Sequence, residues 1–167
     1  MKPTEPKLSG LVTTSIELVN NAINDLRNLS KILNSNFISS QTLSSLLQRE
    51  IDVINHTQAF SMEFNSSGDE IPMPPEKQLV LFRIAQECLQ NGLKHSKAAH
   101  ISISLEYTPQ ECKLTIKDDG IGFLYDPTKL GNGFTNLRTR SSIIKADFNV
   151  HSQPGLGTLI TVKVPLI

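Results

Sequence analysis

The sequence is short of the features that mark the more specialised protein classes. Its 167 residues carry 16 Lys and Arg against 16 Asp and Glu, and no strong block of one sign runs along the chain. Without excess positive charge there is no electrostatic case for binding nucleic acid or an anionic membrane. The opening MKPTEPKLSG has no apolar core of a secretory signal. No run approaches the roughly 18 apolar residues of a membrane span. Only two cysteines occur, Cys88 and Cys112, both inside apolar patterns. With no sign of secretion they read as buried free thiols rather than a disulfide. Internal repeats and low-complexity tracts are also missing. What remains is a cytoplasmic chain of one domain plus a short appendage, whose parent could still be anchored in a membrane. Its 38% apolar content suits an ordinary folded α/β domain and excludes a disordered chain.

What the chain does have is clear periodicity. Val12, Ile16, Val19, Ile23, Leu26, Ser30 and Leu33 alternate spacings of three and four, a heptad seam that predicts a helix over 8–34 packed on partner helices. A second helix is predicted over 40–55, with Leu43, Leu46, Leu47, Ile51 and Ile54 on one side. The period then becomes two: Phe60, Met62 and Phe64 alternate with polar residues, as in a strand. The loop NSSGDEIPMPP leads into a third helix over 75–97, with Pro75 in its first turn. Strands follow at HISISLEY and CKLTIKD, joined by the turn TPQE. A Gly-rich connection over 120–133, a helix over 134–145, and the strands DFNVHS and TLITVKVPL around PGLG complete the chain. The order helix, helix, β-α-β-β-α-β-β predicts an α+β fold, a two-layer sandwich with one mixed sheet and its helices on one face.

Four stretches break these patterns. On the third helix Glu87, Asn91 and Lys94 fall within roughly 60° of one another, bordering an apolar stripe of Leu81, Ala85, Cys88 and Gly92. Asp118 shares the inward phase of Leu114 and Ile116, where a carboxylate is costly without a partner; Gly120 and Gly122 follow it and permit close backbone approach. Gly131 and Gly133 in GNGF precede a helix, where backbone N–H groups are free to meet an anion. In PGLGT, Thr158 shares phase with Ile160, Val162 and Val164, turning its hydroxyl inward. Taken singly these are a solvated helix edge, an Asp-Gly turn, a plain loop and a hairpin turn. Their joint order is far more specific.

That order resembles the ATP-binding superfamily shared by gyrase, the heat-shock chaperone, histidine kinases and the mismatch-repair ATPase, whose domain has the Bergerat fold. Glu87 and Asn91 look like its N-box, Asp118, Gly120 and Gly122 its G1 box, Gly131 and Gly133 its G2 motif, and Gly155, Gly157 and Thr158 its last glycine motif. The wording QECLQNGLKHSKA … DDGIGF … GNGFTNLRTR … PGLGTLITVKVPL is similar to the catalytic domains of bacterial sensor histidine kinases with a short lid, over about residues 40–167. The resemblance implies that Asp118 accepts from the exocyclic amine of adenine and so selects ATP over GTP, with Thr158 assisting. It implies that Asn91 binds Mg²⁺, that Lys94 neutralises phosphate, and that the backbone at Gly131–Gly133 cradles phosphate. His95 takes the N-box histidine position at the nucleotide. Glu87 would act as base toward the attacking nucleophile.

The same resemblance implies that residues 1–36 are the second helix of a dimerisation and phosphoacceptor hairpin, and 37–167 the catalytic domain. None of His56, His95, His100 and His151 is followed by an acid, and none lies on the seam helix, so the acceptor histidine is expected outside this chain. On this reading, the chain alone does not autophosphorylate efficiently. Its partners would be a response regulator receiver domain and, in the parent, a second copy, with neither nucleic acid nor direct membrane contact. Two departures stand out: the subgroup's Gly-Gly pair is absent at Lys145–Ala146, and the stretch from Phe123 to Gly131 is short. Two other readings share the motifs: a serine kinase of the same fold that controls a sigma factor, which the heptad helix opposes, and a nucleotide-binding or dimerisation module without transfer chemistry.

Overall fold

The computed structural model describes residues 41–56, 61–126 and 132–166. The seam helix, Phe60 and Gly131 lie outside them. In chain order the elements are α1 (Leu43–Asn55), β1 (Ser61–Ser67), α2 (Pro75–Asn91), β2 (His100–Tyr107), β3 (Glu111–Asp118), α3 (Asn132–Ile143), β4 (Asp147–Ser152) and β5 (Thr158–Pro165). The expected β-α-β-β-α-β-β order is present. Helix α1 starts at Leu43 rather than residue 40, because Thr42 caps it and accepts from the Ser45 amide at 3.2 Å.

The five strands form one mixed sheet in the order β1-β2-β3-β5-β4. Only β1 and β2 pair in parallel, as expected for strands joined through a helix, while the remaining pairs are antiparallel. Alternation settles which face is covered. Ile101, Ile103, Leu105, Cys112, Leu114, Ile116, Val150, Ile160, Val162 and Val164 are all buried. The opposite phase carries Ser102, Ser104, Glu106, Lys113, Lys117 and Lys163 toward solvent, a pattern that antiparallel sheets tolerate. The buried face meets Leu46, Leu47 and Ile51 of α1, Leu81, Ile84 and Leu89 of α2, and Leu137 of α3. Each such side chain contributes about 1.5–3 kcal/mol by leaving water. Both thiols are free and buried, and burial pushes Cys112 up to about 12.

Two local features differ from the sequence expectation. Helix α2 does not run as a uniform α-helix to residue 97: it ends at Asn91 and continues as one π-helical turn, Gly92–Ser96, stopped by Lys97 at φ 53°. Helix α3 begins at Asn132 and ends at Ile143. Its exit uses the Ala146 amide bonded to Ser141 O at 2.8 Å, with Lys145 at φ 56° in the left-handed position that glycine normally fills.

Candidate functional site

A cavity of about 380 Å³ opens between the C-terminal end of α2, the connection after β3, the start of α3 and the start of β5. That size is ordinary for a small-molecule site. Its walls are apolar at Cys88, Ile121, Phe123, Phe134 and Ile160, and polar at Asn91, His95, Asp118 and Thr158. Of the residues singled out in the sequence, Asn91, His95, Asp118, Gly122, Gly133 and Thr158 line it. Glu87, Lys94, Gly120 and Gly157 do not, and Gly131 lies outside the described residues.

The deep polar group is Asp118. It ends β3 in the inward phase, between Ile101 of β2 and Thr158 of β5 in register, and is only 9% exposed. Its Oδ1 accepts from the Gly120 amide at 2.9 Å; no other described residue bonds the carboxylate. A buried carboxylate fixed by one backbone bond and otherwise facing a cavity is prepared to receive a donor from a ligand.

The glycines that follow serve the protein's own backbone. A Cβ at Gly120 would collide with Ser96 O, one at Gly122 with Gln153 O, and one at Gly157 with Asp118 O. Gly122 and Gly157 also adopt φ of 56° and 74°. These contacts let the connection after β3 lock onto its neighbours: the Ile121 amide donates to Ser96 O and the Gly155 amide to Ile121 O, both at 2.7 Å. The close approach that glycine allows is therefore between loop and hairpin, with the cavity as the space left over.

Ser152 and Asp119 complete this scaffold, and neither was singled out from the sequence. Ser152 Oγ accepts from the Phe123 amide at 2.9 Å and contacts Gly157 O and Thr158 Oγ1, both at 3.0 Å. A signal was present, since Ser152 shares the inward phase of Phe148 and Val150, the same irregularity that exposed Asp118. Asp119 Oδ1 accepts from the Ala99 and His100 amides at 2.9 Å, and Oδ2 lies 3.0 Å from His100 Nδ1. These bonds, led by the one from the His100 amide, hold its carboxyl down at about 2.

At the other end of the cavity Asn91 and Glu87 stand on consecutive turns of α2. A Cβ at Gly133 would lie 3.9 Å from Asn91 Nδ2 and 4.0 Å from Glu87 Oε1, so both face the start of α3 with space between. Burial, reinforced by the Glu87 charge, pushes the Cys88 thiol well up, leaving a neutral wall. The π turn changes the stripe predicted for an uninterrupted helix: its wider i→i+5 winding brings His95 to the cavity and leaves Lys94 exposed outside its lining. Gly92 is held close to β2, where a Cβ would stand 3.1 Å from Ile101 Cδ1.

Phe123, Tyr125 and Phe134 form an aromatic cluster with ring centroids 5.5–6.3 Å apart, which ties together the two ends of the segment 126–132. A second hollow of about 370 Å³ lies beside Lys117, His151 and Leu156 and shares Thr158 with the first. It contains no buried carboxylate or amide. Among the described residues, no group of three or more His, Cys, Asp or Glu is arranged to hold a metal, and no helix is long and apolar enough to cross a membrane.

Known proteins share this arrangement. The chain is 27% identical over 160 residues to the signal transduction histidine-protein kinase/phosphatase DegS of Brevibacillus brevis, covering 95% of this chain and 40% of that protein. It is 32% identical over 146 residues to the sensor histidine kinase LiaS of Bacillus subtilis, covering 87% and 40%. The chain thus spans about 40% of the length of these two relatives. Among solved structures, the histidine kinase domain of the blue-light activated histidine kinase of Erythrobacter litoralis EL346 superposes with a TM-score of 0.60 at 25% identity, covering 75% of this chain and 61% of that one. Residues 76–167, which hold every cavity-lining group described above, match the family of histidine kinase-, DNA gyrase B- and HSP90-like ATPases, and the chain belongs to that family.

Proposed function

We propose that the cavity binds ATP and that the chain is the ATP-binding catalytic part of a two-component sensor histidine kinase. The observation that carries this reading is Asp118: a buried carboxylate, oriented by the Gly120 amide, facing an apolar slot whose far end holds Asn91, with Glu87 just outside its lining. A purine fits between Ile121 and Ile160, with its 6-amino group donating to Asp118. A 6-carbonyl in that place would set two acceptors against each other, which favours adenine over guanine.

The phosphates then extend toward Asn91, His95 and Gly133. The donor chemistry there suits Mg²⁺: one amide oxygen from Asn91 is enough protein for a cation that keeps water and takes most of its ligands from phosphate. When bound, Mg²⁺ supplies charge neutralisation at the phosphates. Lys94 lies outside the cavity lining but on the same turn as His95, and its flexible stem can bring the ammonium to a phosphate. The start of α3, at Gly133, offers backbone N–H donors to the terminal phosphate; Gly131, outside the described residues, is proposed to contribute by its place in the motif. Glu87, across Gly133 from the phosphates, accepts the proton of the attacking imidazole.

That imidazole is proposed to belong to another stretch of polypeptide, and the phosphoryl group to pass on to an aspartate of a response regulator. Residues 1–36 are proposed to belong to the dimerising helical hairpin of the parent, with the domain on the cytoplasmic side. Titration calorimetry of the chain with Mg-ATP and with Mg-GTP tests the pocket. Mg-ATP should bind more tightly, and Asp118→Asn should abolish most of that preference; equal binding of both nucleotides to the unsubstituted chain would remove the basis for assigning Asp118.

A further inference from the structure

Ser152, the last residue of β4, ties the hairpin to β5 and the start of β5 to the connection after β3. The residue is buried, and its hydroxyl has one proton and two lone pairs. The proton goes to Gly157 O at 3.0 Å, a carbonyl that can only accept. One lone pair takes the Phe123 N–H at 2.9 Å. The remaining contact is Thr158 Oγ1 at 3.0 Å. With the Ser152 proton committed to Gly157, this bond forms only if Thr158 donates. Thr158 also has a single proton, so its Oγ1 is left with lone pairs alone for the cavity it lines. Directly across the β3–β5 pairing stands Asp118, likewise an acceptor.

We infer that Ser152 is a specificity-determining residue: by holding the Thr158 proton it makes the wall formed by Asp118 and Thr158 acceptor-only, so that the site takes purines with an amino group at C6 and rejects those with a carbonyl there. This rests on the nucleotide-binding reading above. Without Ser152 the Thr158 hydroxyl is free to rotate and donate to a carbonyl, and the rejection relaxes. Ser152 touches no ligand; it acts through Thr158.

The test is calorimetric titration of the whole chain with ADP and with inosine diphosphate, which carries a carbonyl at C6. The unsubstituted chain should bind ADP more tightly. Ser152→Ala should narrow the ratio of the two affinities about fivefold to tenfold, the effect of one hydrogen bond gained by the carbonyl, and mainly by tightening inosine diphosphate. Thr158→Val, which removes the hydroxyl and keeps the shape, should weaken ADP about fivefold and leave inosine diphosphate unchanged or tighter. Equal weakening of both ligands by Ser152→Ala, with the ratio unchanged, would make Ser152 a structural brace only and overturn the inference. So would a Thr158→Val variant that weakens both alike, and this variant decides alone if Ser152→Ala does not fold. An unsubstituted chain that binds neither diphosphate would instead remove the nucleotide reading itself, and the role of Ser152 with it.

Discussion

The two ends of the cavity are built by opposite means. Around Asp118, backbone is packed against backbone: Ser96, Ile121 and Gly155 are joined by main-chain bonds, Gly157 lies close against Asp118 O, and Ser152 and Asp119 accept from the Phe123, Ala99 and His100 amides. Around Asn91 the packing is looser, and a Cβ added at Gly133 would meet the Asn91 and Glu87 side chains only at ordinary contact distances of 3.9 and 4.0 Å. The same residue type serves both ends differently. Gly120, Gly122 and Gly157 are required because protein lies where their side chains would be, whereas a Cβ at Gly133 would be accommodated without a clash. On the proposed reading, the end that recognises the base is held by backbone packing, while the end that meets the phosphates is held more loosely.

Substitutions at these glycines should break the comparison most sharply. Gly157→Ala puts a methyl onto Asp118 O at φ 74°, and should destabilise the domain by about 3 kcal/mol or more in urea unfolding. Gly133→Ala meets nothing nearer than 3.9 Å, so its unfolding free energy should stay within about 1 kcal/mol of the original. Its nucleotide affinity should fall about tenfold, the cost of a blocked charge-assisted hydrogen bond. If Gly133→Ala unfolded the domain while Gly157→Ala left it intact, the assignment of the two ends would be reversed.

Asp119 sharpens the rigid end through pH. Its carboxyl is held at about 2 against 3.8 for a free side chain. A depressed acid adds stability above its unfolded value and loses it as pH falls through the folded value. Urea midpoints of the unsubstituted chain and Asp119→Asn should therefore differ at neutral pH, converge below pH 3.8 and coincide near pH 2. A constant difference across that range would show that Asp119 stabilises by shape alone.

The smallest effect is expected far from the cavity, at the end of α3. Lys145 occupies a left-handed position at φ 56°, where a side chain costs about 1 kcal/mol relative to glycine. Lys145→Gly should raise the unfolding free energy by about 0.5–1 kcal/mol, seen as a rise in thermal midpoint, without changing nucleotide affinity.

The covered face of the sheet was legible because alternation records burial directly. Ile101, Ile103, Leu105 and Tyr107, then Cys112, Leu114, Ile116 and Asp118, keep one phase in the sequence and one buried face in the structure. Asp118 was noticeable for the same reason, as a charge in an apolar phase. Ser152 carried an equivalent mark in a shorter strand, where a hydroxyl passes for an ordinary strand residue. His95 lines the cavity as its N-box position implied, whereas Lys94 lies outside the lining, because uniform helical periodicity cannot anticipate a π turn. The π turn ends at Ser96, whose carbonyl accepts from the Ile121 amide, 25 residues away in sequence.

By itself, then, the sequence determined the element order, the covered face and the residue types at the site, since these follow from local periodicity and from polar groups at apolar positions. Only the tertiary structure decided which of those residues share a cavity, and which glycines face a ligand and which face backbone. It also decided which groups meet at the Ser152 hydroxyl. Each of these depends on distances between segments remote in the chain, which local periodicity does not record.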